Sequence, residues 1–132
     1  MLVMMDEGRI VDGIRIINDK NPREVVIFNF HTWVEIIAGL MVKYGGKNEV
    51  EAKTILLESP LVENALKNYM AVVLRAHEVD YHWAMLYAHG EGYWLRGIDT
   101  NEPEGYKEWD AQYRKDRNLK AESFEFDDDA PT

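Results

Sequence analysis

Three side chains able to do chemistry share one flank of a single stretch. Glu78, His82 and His89 lie between residues 60 and 89, and a helix turning 100° per residue would hold them within about 40° of one another. Carboxylate beside neutral imidazole can ligate zinc, iron or manganese, or exchange protons. Glu78 and His82, at i and i+4, are the ligands expected if the protein handles a metal, because that step keeps both on one face. The spacing fits no standard metal helix. A zincin needs two histidines four apart with glutamate after the first, and His77 and His82 are five apart. A di-iron bundle needs Glu and His three apart, twice. Glu78 to His89 would rise about 16 Å, too far for one ion. The plainer expectation is a surface pair of Glu78 with His82, and His89 at a helix C-terminus. No catalytic residue is assigned and no cofactor is expected.

Other candidates are weaker. His31 precedes a helix start, a position equally suited to an ordinary loop residue. Asp99 and Glu102, or Asp127, Asp128 and Asp129, lack the alternation and central glycine of a calcium loop. Gly90, Glu91 and Gly92 lack the lysine of a phosphate loop, and Glu91 would repel the anion. Ser59 and Ser123 are the only serines, and neither sits in a nucleophile elbow. Cysteine is absent, which removes thiolate catalysis and cysteine-bound zinc.

A second set of residues suits binding rather than catalysis. Trp94, Tyr106, Trp109 and Tyr113 are clustered and interleaved with charge, as interface anchors are, although aromatics also fill cores. The net charge is −9. Residues 99–132 hold 11 acidic and 5 basic side chains, a balance of −6, against −3 for the first 98. Such a chain repels phosphate backbones and anionic lipid, so neither nucleic acid nor membrane is an expected partner. A protein with a basic surface is. The residues expected to meet it are Trp94, Tyr106, Trp109, Tyr113, Asp127, Asp128 and Asp129.

These residues must be positioned by a small fold. A chain of 132 residues forms one domain that buries about two-thirds of its unfolded surface. Residues 1–122 are expected to be that domain, and 123–132 an acidic, flexible tail. With no basic leader and no apolar run of about 20 residues, the expected location is cytoplasmic. Ile10, Ile14 and Ile16 alternate as in a strand, with Asp12 out of pattern. Residues 25–28 are β-branched and apolar, and the polar cluster 18–23 joins the two into a hairpin.

Thr32 and Glu35 have capping-box spacing and open a helix from Trp33 to Tyr44. That helix is apolar nearly all round, hence buried, and Gly45 and Gly46 end it. Asn48 with Glu51, and Asn101 with Glu104, are looser boxes. Ser59 before Pro60 is an N-cap with proline at N1. Ala65, Tyr69, Val72, Ala76, Val79, Trp83 and Leu86 then mark one seam, predicting a long amphipathic helix over 60–89. At about 45 Å it would exceed a diameter of roughly 36 Å for such a domain, so it either bends or offers its seam to a second copy. The expected fold is α+β and helix-dominated: an N-terminal hairpin packed on a small helical bundle with one long amphipathic helix.

Three functions are compatible with these readings. The first is a non-catalytic acidic protein-interaction module, an inhibitor or antidote covering a basic site on a partner. The second is a homo-oligomeric helical assembly component, a homodimer in its simplest form. The third is a metal-dependent enzyme using Glu78 and His82.

Overall fold

The β-branched runs pair as a hairpin. In a computed structural model, which describes residues 9–127, β1 (Ile14–Asn18) lies antiparallel to β2 (Asn21–Phe28), with Ile14 opposite Phe28 and Ile16 opposite Val26. A third strand, β3 (Phe124–Asp127), pairs with the other edge of β2, giving the order β1-β2-β3. Opposed residues share a face, so Phe124 joins Phe28, and Phe126 joins Val26. Phe28 and Phe124 stack at 5.0 Å, and Trp33 meets Phe28 edge-on at 5.6 Å.

β3 corrects the expected tail. Ser123 is buried and residues 124–127 are sheet, so the domain does not stop at 122. Phe124 and Phe126 alternate with Glu125 and Asp127, a period-two signal hidden by its shortness and its acidic neighbours. Asp128 and Asp129 lie outside the described residues.

α1 (Phe30–Lys43) is buried almost all round, and the helices and sheet pack about it. It starts three residues before the expected Trp33, with Asn29 as its N-cap residue. The first turn is satisfied from a distance. Asp12 accepts from the Thr32 backbone N–H at 2.8 Å and from the Thr32 hydroxyl at 2.9 Å, placing a carboxylate at the positive end of the helix. The out-of-pattern residue of the first strand region is thus the cap of the central helix. Glu35 does not reach back to Thr32. It pairs with Lys53 of α2 (Glu49–Leu57), and Arg117 lies 4.0 Å from its other oxygen. α2 itself has the expected capping box of Asn48 and Glu51.

The single helix over 60–89 does not form. It divides into α3 (Pro60–Glu63), α4 (Tyr69–His77) and α5 (Asp80–His89). Ser59 caps α3 as expected. Asn68 then takes an extended backbone and its side chain accepts from Ala71 N–H, starting a new helix. Glu78 and Val79 are also extended. Side chains satisfy groups freed by the breaks: Arg75 donates to the Leu61 carbonyl, and the Trp83 indole to the Arg75 carbonyl. The folded-back path resolves the length conflict, and Val79 of the supposed seam is exposed.

After α5 comes a 3₁₀ turn (Tyr93–Arg96), then α6 (Tyr106–Asp116). The expected box at Asn101 and Glu104 is not the start of α6, which follows Gly105 at φ 82°. α6 packs closely on α1: a Cβ on Gly39 would lie 2.7 Å from Tyr113 Cζ. The architecture is α+β and helix-dominated, with six α-helices and one three-stranded antiparallel sheet among the described residues.

Candidate functional site

Breaking the helix at Glu78 removes the expected metal pair. Glu78 is exposed and accepts from the Val79 backbone N–H, while His82 Nδ1 lies 2.9 Å from the Tyr93 hydroxyl. Glu78 lies in the extended link between α4 and α5 while His82 is in α5, so the i,i+4 relation no longer sets their directions. His77 Nδ1 meets the Val73 carbonyl at 2.8 Å. Among the described residues no group of three or more His, Asp or Glu side chains converges as a metal would require. Both serines have structural partners: Ser59 Oγ bonds the Leu56 carbonyl and the Val62 N–H, and Ser123 Oγ accepts from Arg114.

The expected partner-binding residues do not form one patch. Tyr106 is buried. Trp109 and Tyr113 stack on each other at 4.6 Å, half-buried, with Arg117 over the Tyr113 ring at 4.8 Å. Together they wall a pocket of about 150 Å³ against Gly39. Asp127 is exposed at the end of β3. His31 is exposed and lines a separate pocket beside Glu35 and Lys53.

Trp94 differs from these. It is 48% exposed and its neighbour Leu95 is 82% exposed. Both project from the 3₁₀ turn, whose ends are Gly92 at φ 71° and Gly97 at φ 89°, left-handed conformations that cost glycine little. Tyr93 anchors the turn inside: it is fully buried, holds His82 through its hydroxyl, and meets the Trp94 ring edge-on at 5.2 Å. Arg96 ties the far side to the His89 and Glu91 carbonyls. The apolar pair is therefore carried on a braced segment. Glu91 and Asp99, both exposed, flank it in sequence.

A second feature is a cleft of about 510 Å³ between the start of α5, one face of α6 and β3. Asp80, Glu102, Tyr106, Asp110, Arg114 and Phe126 are among its walls. Burial pushes the Asp80 carboxyl up to about 7; Arg114 opposes the rise, Asp110 adds to it, the Trp33 indole opposes it and Glu102 adds a little. Burial also drives the Tyr106 hydroxyl well above the ordinary phenol range, with Asp80 next in effect. Arg114 does not neutralise Asp80. Its Nε donates to Asp110 at 2.9 Å, and its two terminal nitrogens to the Lys120 carbonyl and Ser123 Oγ.

Sequence reasoning missed Asp80, Arg114 and Leu95. Asp80 read as a poor helix former inside a continuous helix, and only the break makes it the first residue of α5 on a cleft. Gly92 and Gly97 were the available signal for Leu95, since they bracket a segment too short to bury itself. Compared with known proteins, the chain matches no protein-family model, no curated protein and no solved structure.

Proposed function

We propose that this protein is a non-catalytic, acidic protein-interaction module whose contact surface centres on Trp94 and Leu95. The observation that carries the reading is the exposure of both side chains on a turn braced by Tyr93 and Arg96. A large apolar residue exposed alone is ordinary. Two adjacent ones on a pre-ordered turn can be buried by a partner with little further loss of backbone freedom, and tryptophan is enriched among residues that dominate binding energy. The charge of −9 favours a basic target surface and would speed encounter with it. An inhibitor or antidote covering a basic site is the form this takes.

The test is capture of partners from native cells by the full chain and by its Leu95→Asp variant, with the variant's fold checked by circular dichroism. The reading expects a discrete protein retained by the wild type and lost by the variant. An identical set of proteins on both would remove Trp94 and Leu95 from the account.

Assembly with a second copy has one specific observation in its favour. Met70 and Leu74, one turn apart on α4, are both exposed. A concentration-dependent dimer by sedimentation, abolished by Leu74→Glu, would support that reading; a monomer at all concentrations would end it.

A further inference from the structure

We propose that the groove between the outer edge of β1 and the start of α4 binds an extended peptide, alternating apolar with acidic residues, as an added strand of the sheet. In the order β1-β2-β3, β1 is an edge strand among the described residues. An edge offers main-chain N–H and C=O groups to whatever lies beside it and is a template for another strand. A cleft of about 600 Å³ lies along this edge. Ile16 and Ile17 both line it. Successive side chains of a strand point to opposite faces, so the opening is beside the strand and not over one face. Lys67, Asn68, Tyr69 and Met70 form the far wall. A strand added there would have main chain on one side and the start of a helix on the other.

The two faces of β1 say what such a strand would carry. Ile14 and Ile16 share the face that Phe28 and Val26 turn to the core. Tyr69, 8% exposed, packs in that same core. Alternate residues of an added strand would continue this face towards Tyr69 and Met70, so they are apolar. They would cover Met70, which is 54% exposed. The other face carries Arg15 and Ile17, opposite Ile27 and Val25. Arg15 is exposed, and the remaining residues of the added strand would lie in its row.

Charge selects acid for that row. The hairpin stretch 14–24 together with residue 67 holds Arg15, Lys20, Arg23 and Lys67 against Asp19 and Glu24, a positive excess in a molecule of net charge −9. None of these four cations is in an ion pair among the described residues. Cations on an edge repel a basic strand and attract an acidic one. The groove shares no described lining residue with the Trp94–Leu95 turn. Failure of one proposal therefore leaves the other standing.

The experiment is a ¹H–¹⁵N NMR titration of the full chain with a blocked hexapeptide alternating valine and glutamate. One control carries lysine in place of glutamate, and a second is the glutamate peptide with every amide N-methylated, which cannot donate to a ladder. The expected result is a saturable shift of the β1 amides and of residues 67–70 with the glutamate peptide, with slowed hydrogen exchange in β1. The N-methylated peptide should give none, and the lysine peptide should bind at least about tenfold more weakly. High salt should weaken the glutamate peptide. So should Lys20→Glu combined with Lys67→Glu, by about tenfold or more; both lysines are exposed, and circular dichroism checks the fold. Shifts of the same amides with the protein's own concentration, and none with peptide, would assign the groove to a second copy and overturn the proposal. No saturable shift up to about 5 mM peptide, equal binding of either control, or unchanged affinity in the folded double variant overturns it as well.

Discussion

Asp80 and Asp12 are both aspartates that the sequence pattern presents as misfits, and the fold treats them in opposite ways. Asp12 is welcomed: two hydrogen bonds and the helix dipole hold it at the start of α1. Asp12→Ala should cost about 1–2 kcal/mol in urea denaturation, the usual price of losing a good N-cap; an unchanged midpoint would show the contact is idle. Asp80 is held against its preference for water. Its folded value of about 7 lies above the ordinary 3.8, so between those limits the native state binds more protons than the unfolded chain. Stability must then fall as pH rises from about 4 to about 7, and stay reduced above. Asp80→Asn removes that dependence. Allowing for the water that reaches the carboxyl, the variant should gain about 1–2 kcal/mol on wild type between pH 5 and pH 8. Parallel pH profiles for the two proteins would contradict the environment described for Asp80. Neither role was legible in the sequence, because each depends on residues brought from far along the chain: Thr32 for Asp12, and the burying elements for Asp80.

At the scale of elements, local chemistry predicted starts better than continuations. The Asn48 box and the Ser59–Pro60 start are where the residues place them, since capping involves only neighbours. Thr32 has the right spacing but serves as a relay, accepting from the Lys120 N–H while it donates to Asp12. The long helix fails because its seam is satisfied piecewise: Ala65, Tyr69 and Val72 reach the core with the chain folded back between them. A periodic pattern gives the face of each segment and not the path between segments. β3 was obscured for the related reason that four residues carry too little period to read. Gly39 shows what packing adds. Its lack of a side chain lets the Tyr113 ring sit against α1, so Gly39→Ala should destabilise by about 1–3 kcal/mol despite alanine's better helix propensity. The cost should shrink when Tyr113→Ala is made in the same chain, as expected of residues in contact; a neutral or stabilising Gly39→Ala would show that α6 stands off α1.

At the scale of the whole molecule, the proposed binding divides between charge and shape. The acidic excess, two-thirds of it in residues 99–132, would act at a distance and set encounter rates. Under the proposed function, Trp94 and Leu95 would act only on contact and set the lifetime of the complex. The composition announced the first half. The second half was half-legible, for Trp94 was singled out, but Tyr106 is core and Trp109 and Tyr113 are committed to α1 and to each other. Among the described residues no helix is long and apolar enough to cross a membrane. Removing residues 99–132 would take away α6 and β3, so point variants are the sound way to test partner binding. The most direct measurement is the kinetics of the captured partner with wild type, Leu95→Asp and Asp99→Asn at low and physiological salt. Leu95→Asp should raise the dissociation rate at least tenfold with little change in association, while Asp99→Asn should slow association at low salt and leave dissociation nearly unchanged. A dissociation rate that Leu95→Asp does not alter would contradict the account.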